Sequence, residues 1–520
     1  MTSTLQRTYD DLTVVIPAAG PVPEGLVALS NISCPAMVPV AGRPVIHWTL
    51  RYLISLGIKR FVIAVAQRGL YIEDFVECTF GSEAEVEFVV PSRDGGVGLT
   101  LKELLDRVTT PRALAVLGDT HFQLRDASML ASDTATVLVH PVEESHRWCI
   151  ARVDESGAVT SLHDKEPGLP FPLQALIGVY FFPEASVARE AATAAVEAAA
   201  KEGRARSEIS AVLRGVGAIR AEEADDWLDV GNPDRQASSH RTLLQKRAFN
   251  DLEIDPVFGT ITKRSRHVEK FVDEINYLRL LPPDLAVLFP RVLGFSTDWN
   301  APELTMEYYG YPSLSEVFVF ENVDPSTWEG VFAHLFEVIT RGFMRHARPL
   351  PSSALRYMTV DKTRDRVAML KSGEAPHEVL CGRQGKRING APHANLEERW
   401  PAIEAQVRAM AEGAQAGVVH GDLCLSNILY DLRSRIVKLV DPRGSFGTAG
   451  LFGDPRYDVA KLYHSVYGLY DFIVNDLFRV ETGADEVTLE IRTRPYHREI
   501  LERFEKVFFP TFDRREILLL

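Results

Sequence analysis

At 520 residues the chain is too long for one hydrophobic core, so two or three domains are expected. An apolar fraction of 46% beside 25% charged residues is ordinary for globular protein, and a formal net charge of −14 argues against nucleic acid or an anionic membrane as partner. Nucleotides stay open, because they need only a local basic pocket. The five cysteines, at 34, 78, 149, 381 and 424, are scattered and lack any C-x-x-C spacing. That pattern fits a reducing compartment and neither a disulfide framework nor a zinc site. The first residues carry no apolar signal core and no stretch approaches ~18 apolar residues, so no membrane span and a cytoplasmic location are expected.

The first predicted element is the apolar run L-T-V-V-I-P, residues 12–17, before A-A-G, Ala18 to Gly20. It reads as a buried parallel strand ending in a tight glycine turn. Further apolar runs follow at Arg60 to Ala66, Val86 to Val90 and Ala113 to Asp119, with helical patterns between them such as Val45 to Gly57. Gly57 stands where a helix C-cap glycine would. The alternation predicts a doubly wound α/β sheet, in which ligands bind beyond the carboxyl ends of strands. Gly20 and Asp119 sit at such ends. The alanine-rich run Ala191 to Gly203 predicts a surface helix of this domain.

Five features in residues 11–235 resemble sugar nucleotidyltransferases: the opening strand with A-A-G, P-V-A-G-R-P-V-I at Pro39 to Ile46, L-G-D-T at Leu117 to Thr120, D-K-E-P at Asp164 to Pro167 followed by L-I-G-V-Y-F-F, and W-L-D-V-G-N-P at Trp227 to Pro233. The resemblance implies that Ala18 and Gly20 border the nucleotide, that Asp119 and Asp229 share a Mg2+ on the triphosphate, and that Lys165 meets the sugar phosphate. It implies a nucleoside triphosphate of CTP or UTP type as substrate and pyrophosphate as product. The chain departs from the family after A-A-G: the arginine of the signature loop is missing and Ala36 stands where its lysine would be. Either other cations substitute, with Arg43, Arg93 and Lys165 as candidates, or the domain binds without catalysing. The G-G-V-G-L-T run, Gly95 to Thr100, is either a loop near the base and pyrophosphate or a plain turn before a helix.

The polar segment Asn232 to Arg241 reads as an exit from a first domain, residues 1–240, into a second, residues 241–520. Val257 to Ser265 alternates as a strand and carries one glycine, with Lys263 as candidate for the lysine on the nucleotide phosphates. Downstream, Val268, Phe271, Val272, Ile275 and Leu278 form a helical stripe, and Glu274 beside it could reach Lys263. Pro302 to Leu314 reads as a strand and hinge, where backbone groups near Glu307 and Tyr308 would meet adenine.

The most specific pattern is V-V-H-G-D-L-C-L-S-N-I-L-Y-D, Val418 to Asp431, followed by V-K-L-V-D-P-R-G, Val437 to Gly444. His420, Asp422, Asn427 and Asp441 have the order and spacing of a phosphoryl-transfer site: a carboxylate as base, and hard oxygen ligands for a hard cation. This half of the chain resembles the aminoglycoside phosphotransferase and choline kinase superfamily, which implies a bilobal protein-kinase-like α+β domain using ATP and Mg2+, with Asp422 as base and Asn427 and Asp441 as metal ligands. His420 and Asp458, the latter in G-D-P-R-Y-D-V-A-K-L at Gly453 to Leu462, are expected to brace the loop. Arg443 is either a holder of a phosphate or acidic substrate or a surface turn residue. His464 to Phe472 is expected to be mostly core, with part of it a substrate wall.

A kinase joined to a nucleotidyltransferase implies consecutive steps: phosphorylation of a sugar, amino sugar or amino alcohol, then activation of that phosphate, as in capsule or other cell-envelope synthesis. A kinase with a degenerate, regulatory first domain and a non-catalytic nucleotide-sensing scaffold are the alternatives. Oligomeric state is not legible. The chain stops at Arg515 to Leu520 in mid-pattern, as expected of a fragment.

Overall fold

The apolar run at residues 12–17 is a strand, Leu12–Pro17, in which Leu12, Val14, Val15 and Ile16 are fully buried. Burial on both faces is what an unbroken apolar run selects in a covered parallel sheet. The computed structural model describes residues 9–20, 34–40, 42–66, 70–229, 250–350, 352–370, 377, 381, 387–412, 414–447, 449–483 and 486–520. The chain divides into two units, Met1–His240 and Arg241–Leu520.

In the first unit, Leu12–Pro17 runs parallel to Arg60–Ala64 on one side and to Arg112–Val116 on the other, and Arg60–Ala64 continues parallel to Glu85–Val89. The helices Val45–Ser55, Leu70–Phe80 and Gly96–Leu105 alternate with these strands. The strand order reverses direction between Leu12–Pro17 and Arg112–Val116, which makes their carboxyl ends the natural ligand crevice. The sheet is mixed rather than wholly parallel: Gln174–Phe182 adds antiparallel to Arg112–Val116 and also pairs with Ala135–Pro141 and Cys149–Val153. The alanine-rich segment is the helix Ala185–Lys201, whose Ala188, Ala191, Ala192, Ala195 and Ala199 form the buried stripe. Small side chains let this helix lie close against its neighbours while its charged face stays in water.

The second unit opens on a four-stranded antiparallel sheet in the order Asn250–Asp255, Thr260–Ser265, Glu303–Glu307, Val292–Ser296. The helix Val268–Leu280 packs on it through Phe271 and Ile275 against Leu304 and Met306. A mainly helical part follows, including Leu314–Phe320, Pro325–Glu337, Pro455–Val466 and Pro495–Phe508. Ser313 and Glu316 form a capping box at the first of these. The apolar pieces around the H-G-D loop become a hairpin, Ile428–Asp431 with Ile436–Leu439. This is an α+β unit after an α/β unit. Among the described residues no helix is long and apolar enough to cross a membrane.

Candidate active sites

In the second unit, Lys263 extends from its strand to the helix bearing Glu274, and its Nζ lies 2.9 Å from each Glu274 carboxylate oxygen. The same Nζ donates to Asp441 Oδ1 at 2.7 Å. Lys263 and Glu274 are 6% and 7% exposed, so this is a buried ion pair with a third, more open partner. Burial acts to lower the Lys263 ammonium, but the Asp441 and Glu274 charges overcome it and hold the lysine protonated. Burial raises the Glu274 carboxyl against the pull of Lys263.

Asp441 lies two residues beyond the hairpin strand Ile436–Leu439, in a left-handed conformation, φ 58°. The P-R-G turn after it leads to Gly444, φ 64°, where a Cβ would collide with the Asp273 carbonyl. Only glycine satisfies both demands, and the turn thereby docks on the backbone of the Glu274 helix.

The His420–Asn427 loop is braced from below. Asp458, wholly buried on the helix Pro455–Val466, accepts the His420 N–H at 2.7 Å and the Gly421 N–H at 2.8 Å. His420 Nδ1 accepts the Asp422 N–H at 3.3 Å and its Nε2 donates to the Val440 carbonyl at 3.0 Å. Burial lowers this imidazole to about 4, so the ring is neutral, and it stacks on Phe289 at 6.1 Å. Asn427 Nδ2 donates to the Asp422 carbonyl at 2.9 Å, which leaves its Oδ1 for a ligand. The oxygen donors Asn427 Oδ1 and Asp441 suit a hard divalent cation.

Asp422 itself is gripped by two cations. Arg443 Nη2 and Lys461 Nζ each lie 2.9 Å from one of its carboxylate oxygens. Burial pushes its carboxyl up, but Arg443 and Lys461 outweigh that and hold it below the usual carboxylate range. The Arg443 side chain is therefore engaged with Asp422 rather than extended into solvent from its turn. Lys461 was not singled out from the sequence. It lies three residues after Asp458 on a helix whose Asp458 and Ser465 both face the loop, Ser465 Oγ accepting the Leu425 N–H at 3.2 Å. That helical spacing was the available signal.

The hinge is less generous than expected. The Glu307 N–H donates to the Arg291 carbonyl at 3.0 Å and the Tyr308 N–H to the Gly259 carbonyl at 2.8 Å. Neither amide is left as a donor for adenine, and any contact there falls to carbonyl oxygens or later amides. The Glu307 side chain accepts the Tyr309 hydroxyl.

In the first unit, Ala18 and Asp119 follow adjacent parallel strands. Ala18 is buried, its N–H donates to the Ala64 carbonyl at 3.1 Å, and Gly20 lies at the last described position of that turn. A Cβ on Gly118 would sit 2.8 Å from the Ala18 Cβ and 3.3 Å from the Ala36 Cβ, so Ala36 packs at the same strand ends as Asp119. Burial raises the Asp119 carboxyl. The strand Asp226–Asp229 pairs antiparallel with Thr120–Gln123 and sets Asp229 opposite Thr120. The backbone of the second carboxylate is thus beside the first. Lys165 has φ 55°, donates its N–H to the Trp148 carbonyl at 2.9 Å, and is exposed. Its charge and that of Asp164 reach Cys149, and those of Asp119 and Asp164 reach Tyr180, so Asp119, Asp164 and Lys165 belong to one neighbourhood.

The glycines at 95–98 have a packing reason: Gly98 donates its N–H to the Ser207 carbonyl at 2.8 Å, and Ser207 donates its own to Gly95 at 2.9 Å. A Cβ on Gly98 would come within 2.9 Å of the Ser207 carbonyl oxygen. This favours the turn over a phosphate cradle. Residues 21–33, with the altered signature loop, and residues 230–249, with the end of W-L-D-V-G-N-P and the exit segment, lie outside the described residues.

Residues 20–246 match the family model "Nucleotidyl transferase", and residues 347–487 match "Phosphotransferase enzyme family". Among solved structures, HddC from Yersinia pseudotuberculosis is 18% identical over 44% of this chain and 99% of its own, with a TM-score of 0.37. The same protein complexed with GMP-PN gives 18%, 44%, 99% and 0.35. A UDP-glucose pyrophosphorylase complexed with UDP-glucose is 15% identical over 45% of this chain and 99% of its own, with a TM-score of 0.38. A search of curated proteins found no match. The phosphotransferase match spans Asp422, Asn427, Asp441 and Asp458 but not Lys263 or Glu274. The chain therefore joins a segment of the nucleotidyl transferase family, residues 20–246, to a segment of the phosphotransferase enzyme family, residues 347–487, and both are families of enzymes.

Proposed function

We propose that the chain is a bifunctional enzyme of cell-envelope or capsule precursor synthesis. Its second unit transfers the terminal phosphoryl group of ATP to a small hydroxyl compound, and its first unit joins the resulting phosphate to a nucleoside triphosphate of CTP or UTP type with release of pyrophosphate. The observation that carries the reading is the Glu274–Lys263–Asp441 chain of ion pairs, in the unit where Asp422 stands five residues before Asn427.

Within that unit Lys263 is charged and held by Glu274, ready to meet nucleotide phosphates. Asp441 and Asn427 would hold Mg2+, which when bound neutralises charge on the phosphates. Asp422, kept ionised by Arg443 and Lys461, accepts the proton of the acceptor hydroxyl as its oxygen bonds to phosphorus and the bond to ADP breaks. His420 and Asp458 hold the loop so that this carboxylate stays in place. In the first unit, Asp119 and Asp229 would hold the corresponding metal on the triphosphate, Ala18 and Gly20 would border the nucleotide, and Lys165 would meet the sugar phosphate.

Asp422→Asn is expected to lower ATP-dependent phosphorylation by about 10²–10⁴-fold while pyrophosphate exchange persists, as measured by ADP release and exchange of labelled pyrophosphate. Loss of both activities together would count against separate sites. One observation favours a second reading: Ala36, small and buried beside Gly118, stands where the family's lysine would be. If the wild-type chain shows no exchange with any nucleoside triphosphate beside sugar phosphates or phosphocholine, the first unit binds or regulates and does not catalyse.

A further inference from the structure

A lysine ammonium has three N–H groups, and in Lys263 all three are engaged. Two reach the Glu274 carboxylate oxygens at 2.9 Å each, and the third reaches Asp441 Oδ1 at 2.7 Å. The partners differ in where they stand. The Lys263 and Glu274 side chains are 8% and 10% exposed, whereas the Asp441 side chain is 52% exposed. Lys263 is thus anchored on a buried carboxylate and bridged to an open one. That open carboxylate is the one the site offers to a cation together with Asn427. The Val440 N–H donates to the Asn427 carbonyl at 3.0 Å, which ties the two ligand-bearing segments side by side. The turn after Asp441 is seated on the Glu274 helix, where a Cβ on Gly444 would collide with the Asp273 carbonyl. The packing of these two elements therefore sets Asp441 within reach of Lys263.

In this arrangement a divalent cation approaching Asp441 meets the Lys263 ammonium already on one carboxylate oxygen, and a like charge so close opposes it. A phosphate approaching Lys263 finds no N–H left to accept. One exchange opens both positions: a phosphate oxygen takes the N–H that Asp441 holds. One charge-assisted hydrogen bond then replaces another. Releasing Glu274 instead would leave a buried carboxylate without its cation, which is strongly destabilising. We propose that Lys263 caps Asp441 in the empty site, so that this carboxylate becomes a cation ligand only when a nucleotide phosphate draws Lys263 away from it. Lys263 is then the residue that makes nucleotide and metal binding depend on each other, and by linkage each ligand tightens the other by the same factor. The chain without nucleotide does not hold the ion in advance. This inference rests on the kinase reading of the second unit and adds to it a condition on when the metal site forms.

The test uses the full chain, with Mn2+ as the probe ion followed by electron paramagnetic resonance and ADP as the nucleotide. The ion of this site is the one lost when Asp441→Asn is added, which sets aside the candidate ligands of the first unit. In the wild type that ion is expected to bind at least about tenfold more tightly with ADP than without it. Phosphate oxygens would tighten it in any case, so the decisive comparison is made without nucleotide. Lys263→Met uncaps Asp441 and should raise the affinity of the Asp441-dependent ion at least about tenfold above wild type, even as it weakens ADP. The double variant Lys263→Met/Glu274→Leu leaves no buried charge unpaired and should show the same gain, which keeps the test open if the single variant does not fold. Glu274→Gln leaves Lys263 on Asp441 and should show no gain, which separates uncapping from a general loosening of the site. The inference falls if the wild type holds the Asp441-dependent ion as tightly without ADP as with it, or if a folded chain lacking Lys263 gains none. If no Asp441-dependent ion appears in the wild type even with ADP, the kinase reading itself falls.

Discussion

His420 shows how one buried side chain can organise a loop through its own hydrogen bonds. Both ring nitrogens are used, one accepting from the Asp422 amide and one donating to Val440, so the neutral ring is required by its partners as well as by burial. The pH consequence has a definite sign. In the unfolded chain the imidazole protonates near its ordinary value of 6.5, whereas in the fold burial lowers it to about 4. The unfolded state therefore binds more protons between these values, and the stability that the neutral ring contributes is present above pH ~6.5 and is lost as pH falls toward ~4. Urea unfolding of the second unit followed at pH 7 and pH 4.5 should show this decline. In His420→Gln the decline should be shallower, by up to about 3 kcal/mol across the window. Equal slopes in both proteins would mean that His420 takes up its proton in the folded state too.

At the scale of elements, the docking of one turn on one helix links the Asp441 side of the site to the Lys263 side. Gly444 sits against the Asp273–Glu274 backbone, and Asp441 and Glu274 meet on Lys263 from those two elements. Gly444→Ala adds a side chain in a left-handed conformation where the Asp273 carbonyl already stands. The expected cost is about 1–3 kcal/mol in unfolding free energy, together with weaker Mg–ATP binding because Asp441 is displaced. Asp441→Asn provides the comparison, since it should weaken Mg–ATP without the loss of stability. If Gly444→Ala binds Mg–ATP as the wild type does, the turn does not position Asp441. In the first unit the analogous device is strand pairing: the register of Asp226–Asp229 on Thr120–Gln123 sets the Asp229 backbone opposite Thr120, the residue after Asp119, from far along the chain.

At the scale of the whole molecule, two units with separate cores should unfold as two calorimetric transitions. Mg–ATP at about 100 times its dissociation constant should stabilise only the second unit, by about 2.7 kcal/mol, and leave the other transition in place. A single transition that moves as one would show that the units unfold cooperatively. The same independence bears on function: each half carries its own set of candidate metal ligands, Asp119 with Asp229 and Asn427 with Asp441.

Much of this was written in local sequence. Apolar runs ending in A-A-G and L-G-D marked the parallel strands and their carboxyl ends, because burial on both faces leaves no room for polar alternation. The Glu274 helix and the Lys263 strand were legible from period and spacing, and the H-G-D to Asp441 order named the loop. What only the tertiary structure decided were contacts between segments with no shared period: the antiparallel strand Gln174–Phe182 that makes the first sheet mixed, the use of Gly98 by Ser207, the commitment of the Glu307 and Tyr308 amides, and the grip of Arg443 and Lys461 on Asp422. A residue type and its spacing set which chemistry a side chain can do. Which charges surround it, and hence which substrate it can admit, depends on elements that meet only when the chain has folded.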